Sequence, residues 1–136
     1  MSADYGRLAS EKYILLTTYR RTGEPVATPI GVAGDGGDLV VWTDRESGKV
    51  KRIRRDPTVG VQACDVSGRT THGAVVPGKA RILDGAGSDR VRRALARKSG
   101  VIGRGGMFLS GLRGGRRMVG VAITLDGSPT ARWLIP

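Results

Sequence analysis

The chain has 136 residues, 39% of them hydrophobic and 26% charged, which fits one domain built around one core. Its 23 basic residues against 12 acidic ones give a formal charge of +11, and that surplus calls for an anionic partner. One cysteine excludes an internal disulfide and a cysteine-built zinc cage, and aromatic residues at 4% are too few for the stacking platforms of single-strand binders.

Residues 1–5 carry no basic-then-apolar leader and no run approaches membrane-spanning length, so a cytoplasmic protein without a membrane span is expected. Tyr5 to Lys12 reads as a short opening helix. Tyr13 to Arg20 is β-branched and aromatic enough for a strand, and residues 21–25 are a turn signal. Val26 to Ala33 forms a second strand, followed by a hairpin turn over residues 34–37, rich in residues that tolerate positive φ. A third strand covers Leu39 to Thr43, with Asp38 leading into it, and a short helix follows. Thr58 to Asp65 and a long stretch from Thr70 to Leu83 are strands joined across Ser67, Gly68 and Arg69, with Gly78 marking a bulge or bend. Ser88 to Lys98 is an amphipathic helix, capped by Ser88, ended by Gly100, with Val91 and Leu95 on one face. Residues 100–115 are too rich in glycine to assign. Met118 to Leu125 and Thr130 to Ile135 close a last hairpin across residues 126–128. Five to seven strands with two or three short helices predict a mainly β domain spanning residues 1–136, a small antiparallel barrel.

The stretch 47–57 carries the chemistry. Ser47 is an N-cap, Lys49 sits one step inside the helix and Pro57 stops it. The free amides of a helix start carry partial positive charge, so a lysine among them builds a compact site for a phosphate group. This arrangement fits the phosphate end of a flavin-like cofactor. Basic residues are spread over 51–55, 90–98 and 113–117, a distribution that favours an anionic small molecule over nucleic acid.

The order strand, turn, strand ending Thr28-Pro29-Ile30, strand ending Trp42-Thr43, then Ser47-x-Lys49-Val50 and Ile53-Arg54-Arg55-Asp56-Pro57, resembles the split β-barrel superfamily. That superfamily, also called the FMN-binding split barrel, includes pyridoxamine 5′-phosphate oxidase and the flavin- and deazaflavin-dependent oxidoreductases. The chain looks most like the branch that uses the deazaflavin coenzyme F-420, with FMN as the alternative cofactor. The resemblance implies a homodimer with two cofactor sites between subunits and a small-molecule redox substrate. It implies that Thr28, Pro29 and Ile30 line the tricyclic ring, that Trp42 and Thr43 lie along the ribityl chain, and that Ser47, Lys49 and Val50 hold the phosphate by hydroxyl, charge and backbone amide. Pyridoxamine phosphate oxidases carry further basic residues near a longer C-terminus, so that activity is not expected. Arg52, Arg54 and Arg55 would suit the polyglutamate tail of F-420.

Each candidate has a second reading. Ser47 serves as a helix cap in either case, and Arg54 and Arg55 complement the helix dipole. Trp42 can be core, and Pro29 can mark an edge strand. His72, the single histidine, reads as a surface or hydrogen-bonded residue, and Cys64 as a small core residue. Residues 103–106 lack the Lys-Ser/Thr ending of a phosphate loop. No metal ligands, nucleophile or general acid are assigned.

Overall fold

A computed structural model describes residues 3–101 and 117–126. Its elements run α1 (Ala3–Ala9), β1 (Tyr13–Tyr19), β2 (Pro25–Gly31), β3 (Ala33–Asp35), β4 (Asp38–Asp44), α2 (Gly48–Arg55), β5 (Thr58–Cys64), β6 (Thr71–Ile82), α3 (Gly85–Val101) and β7 (Met118–Leu125). Among the described residues the strands form one seven-stranded sheet in the order β2-β1-β5-β6-β7-β4-β3, every pairing antiparallel. The mainly β class with short helices is as expected from sequence.

Period-two alternation assigns the faces. In β1, Ile14, Leu16 and Thr18 are buried while the residues between them are half-exposed. Ile14 and Leu16 share one apolar cluster with Leu39 and Val41 of β4, although three strands separate β1 from β4 along the sheet. The sheet therefore curls around its own core. Its closure is visible in the chain itself: β2 and β3 occupy opposite ends of the strand order, yet Val32 alone separates them in sequence. Consecutive Cα atoms lie about 3.8 Å apart, so the two edges must meet there. The single strand expected over 26–33 is thus one bent segment serving both edges.

The turn from β3 into β4 is the glycine pair Gly36 and Gly37, at φ +63 and +93. Positive φ at both positions is what a two-residue hairpin of this twist requires. In β6 the irregularity lies at residues 73–75, not at Gly78. Val61 pairs with Val76 and Ala63 with His72, which sets 73–75 opposite Gln62 alone. Gln62 Nε2 donates to the Gly73 carbonyl at 2.8 Å and holds the bulge. Gly78 instead allows close approach, since a β-carbon there would lie 2.8 Å from the Thr124 carbonyl oxygen.

Helix α3 covers the outer face of β3, β4 and β7 through Val91, Ala94 and Leu95 against Ala33, Val40 and Ala122. It begins earlier than its pattern predicts: Asp84 is the capping residue, accepting from Gly87 N at 2.8 Å, and the helix continues past Gly100. Ser88 is buried one turn in, where its hydroxyl accepts from Gly120 N at 2.9 Å. Residues 102–116 and the expected hairpin and strand beyond Asp126 lie outside the described residues.

Candidate functional site

Asp44 ends β4 and shapes the entry to α2. Its carboxylate accepts from Glu46 N at 2.8 Å and its carbonyl from Ser47 N at 3.0 Å. Ser47 then takes an extended conformation, φ −68 and ψ 158, and its Oγ accepts from Val50 N at 3.4 Å. Val50 and Ile53 are the buried pair that seats α2. Asp56 stops it: its amide donates to the Arg52 carbonyl at 2.8 Å and its carboxylate accepts from Thr58 N at 3.1 Å.

This geometry brings Ser47, Lys49 and Val50 together at the start of α2. Lys49 is half-buried and its ammonium reaches Thr43 Oγ1 at 3.4 Å. The Val50 amide is engaged by the cap, so the amides left without a partner among the described residues are those of Gly48 and Lys49. An oxyanion here would meet Ser47 Oγ, these amides and one ammonium, a donor set suited to a phosphate. Burial lowers the Lys49 pKa from its ordinary value, Arg52 lowers it further, and Asp44 partly opposes both. The half-buried charge is thus only partly compensated, by Asp44.

The other predicted residues divide by strand geometry. Thr43 is buried on the Lys49 side, whereas Trp42, its neighbour in the strand, packs with the α3 cluster on the opposite face of β4. The buried Trp42 indole Nε1 has no hydrogen-bond partner among the described residues. It borders a recess of about 340 Å³ whose wall includes Arg45, Arg54 and Met118. On β2, Thr28 and Ile30 pair with Leu16 and Ile14, and Ile30 packs on the core; Pro29 pairs with Leu15 on the outer face. A β-carbon on Gly68 would lie 3.3 Å from the Pro29 ring. Because β2 ends the strand order, one row of its backbone groups lacks a strand partner among the described residues.

Arg52 and Arg55 turn toward β1, where Arg52 Nε donates to Thr18 Oγ1 at 2.7 Å and Arg55 donates to the Tyr19 carbonyl. Arg54 points elsewhere, into the Trp42 recess. Arg20 and Arg21, unassigned from sequence, join Lys51, Arg52 and Arg55. The i, i+1, i+4 spacing of 51, 52 and 55 places them on one helix face, but nothing local announces that the β1–β2 turn reaches that face. His72 is exposed, and Cys64 is buried with its thiol pKa raised, first by burial and then by Asp65 and Glu11.

The sequence pattern of the pyridoxamine 5′-phosphate oxidase family matches residues 6–124. The chain belongs to that family. No curated protein matches it by sequence. Among solved structures, a conserved hypothetical protein of Mycobacterium tuberculosis superposes with a TM-score of 0.71 at 22% identity, over 94% of this chain and 82% of that one. HutZ, the heme storage protein of Vibrio cholerae, gives 0.65 at 11% identity, over 90% and 86%. An FAD-binding protein of Mesorhizobium loti gives 0.62 at 18% identity, over 94% and 92%. At these identities the likeness is one of fold, and the ligands named belong to those proteins. No helix among the described residues is long and apolar enough to cross a membrane.

Proposed function

We propose that this protein is an oxidoreductase transferring a hydride between coenzyme F-420 and a small organic acceptor such as a quinone or enone. The observation that carries the reading is Lys49, a half-buried ammonium beside the unpartnered amides of α2, in a chain of a family whose fold holds flavin-type cofactors. When bound, the deazaflavin supplies the hydride, and the protein supplies orientation and exclusion of water. In this reading Ser47, Lys49 and the Gly48 and Lys49 amides hold the phosphate, Thr43 steadies the Lys49 ammonium, and Thr28, Pro29 and Ile30 present backbone to the ring. Trp42 is left to donate its N–H to a ligand acceptor on the α3 side.

A second copy of the chain completes the site. The outer face of β1 leaves Leu15, Thr17 and Tyr19 half-exposed beside Val75, which is 55% exposed, and this partly apolar surface supports a homodimer.

Titrating the protein with F-420, FMN and heme side by side, by fluorescence and absorbance, tests the reading. F-420 is expected to bind with about micromolar affinity or better. Lys49→Ala is expected to weaken it about ten- to a hundredfold, the worth of a charge-assisted hydrogen bond. Protein that purifies with FMN and ignores F-420 makes FMN the cofactor. Bound F-420 without turnover of any quinone or enone makes the protein a carrier.

A further inference from the structure

Trp42 stands apart from the Ser47–Lys49 cradle. It lies on the opposite face of β4 from Thr43, among the side chains packed under α3, and its buried indole N–H has no acceptor among the described residues. A phenylalanine would fill the same space with no donor to desolvate. Buried tryptophan ordinarily finds a partner for its N–H, so this one is accounted for by an acceptor that a ligand brings.

The sequence builds a recess around the ring. Trp42 pairs across the sheet with Gly120, which has no side chain to cover it. The same missing side chain lets the start of α3 settle on β7, since a β-carbon there would lie 3.0 Å from Ser88 Cα. The space left between α2, the start of α3 and the start of β7 is about 340 Å³, at the small end of the range for small-molecule sites. Leu83 and Met118 extend its apolar wall. Arg45 and Arg54 also line it; both are exposed, and neither side chain has a hydrogen-bond or ion-pair partner among the described residues.

The two acids in the wall are engaged. Asp84 accepts from Gly87 N at 2.8 Å as the α3 cap, and Asp89 faces Arg92 at 3.9 Å. The uncommitted charges are therefore cationic, while the acids oppose any ligand with several negative charges. An aromatic face, an apolar wall, one buried donor and two open guanidiniums suit a flat acid with a single carboxylate, and suit a phosphate or a polyanion poorly.

We propose that the recess of Trp42, Leu83, Met118, Arg45 and Arg54 is a second ligand site, for a small aromatic monocarboxylate. Its carboxylate meets the guanidiniums and accepts from Trp42 Nε1, and its ring lies along the indole, Leu83 and Met118. Nε1 is closed to water in the unliganded chain, so Met118, unbranched and half-buried, swings aside as the acid enters. The site lies across β4 from Lys49 and does not rest on the redox reading.

Naphthoate is the probe, followed through the indole N–H resonances of isotope-labelled protein. The chain has two tryptophans, and Trp42→Phe identifies the resonance of Trp42. Naphthoate should bind saturably and move that resonance downfield, as a new hydrogen bond to a carboxylate does. Arg54→Gln, which removes a charge and no observed hydrogen bond, should weaken binding about tenfold, and Trp42→Phe by about as much. Naphthalenemethanol, which has the ring without the charge, should bind wild type about tenfold more weakly than naphthoate. Lys49→Ala should leave naphthoate binding unchanged. A Trp42 resonance that stays still at saturating naphthoate overturns the proposal, as does equal affinity in wild type and Arg54→Gln. Displacement of naphthoate by inorganic phosphate, or its loss in Lys49→Ala, places the acid in the cradle and removes the second site.

Discussion

Lys49 is held between opposing demands: burial and Arg52 disfavour its charge, while Asp44 and the Thr43 hydroxyl support it. The ammonium is the form that binds an anion. Below its lowered pKa the ligand meets a full charge, and affinity is lost as pH rises through that value. Phosphate-ligand affinity measured from neutral to alkaline pH should therefore fall earlier than an ordinary lysine would dictate. Lys49→Arg should keep its affinity further into the alkaline range, because guanidinium does not deprotonate there. Ser47→Ala removes both cap and ligand contact, and should cost about 1 kcal/mol of stability by chemical denaturation while also weakening binding. Trp42→Phe tests the orphaned indole. Deleting a buried, unpaired N–H should leave the free protein unchanged or about 1 kcal/mol more stable, and should weaken only ligands that accept from it. Ser47 and Lys49 were legible because cap chemistry and a helix start are local. The opposite facing of Trp42 and Thr43 was missed, although strand neighbours alternate, because site residues carried over from a resemblance do not record which side each one faces.

Between elements, the closest fit is that of α3 on β7. A β-carbon on Gly120 would lie 2.8 Å from Val91 Cγ2 and 3.0 Å from Ser88 Cα. Gly120→Ala should therefore push the helix outward and cost about 1–3 kcal/mol, read as a lowered denaturation midpoint with an unchanged slope. The strands and their order along the chain followed from β-branched runs and turn residues. The start of α3 did not, because residues 85–87 look like a loop by composition and become helical only through the Asp84 cap and the contacts of Ser88 with Gly120. The bulge in β6 was misplaced for a similar reason: Gly78 is locally conspicuous, whereas the extra residues opposite Gln62 are set by register between two strands.

At the scale of the whole molecule, the exposed face of β1 and Val75 predicts self-association. Sedimentation equilibrium should report a dimer, and Val75→Asp should shift it toward monomer while leaving the fold intact; a monomeric wild type would remove the shared-site reading. Strand content was readable from the sequence, but the joining of the two sheet edges was not, because pattern alone cannot tell a long strand from one that bends at Val32. The bend is fastened from outside. Lys98 Nζ donates to the carbonyls of Val32 at 2.7 Å, Ala9 at 2.9 Å and Glu11. One ammonium on α3 thus acts as the clasp of a hoop whose two ends share a single residue. Neither half can open without dragging the other, so lengthening the chain at Val32, or trimming Lys98 to methionine, should release both edges together and bare their backbones to sticky pairing with neighbouring copies.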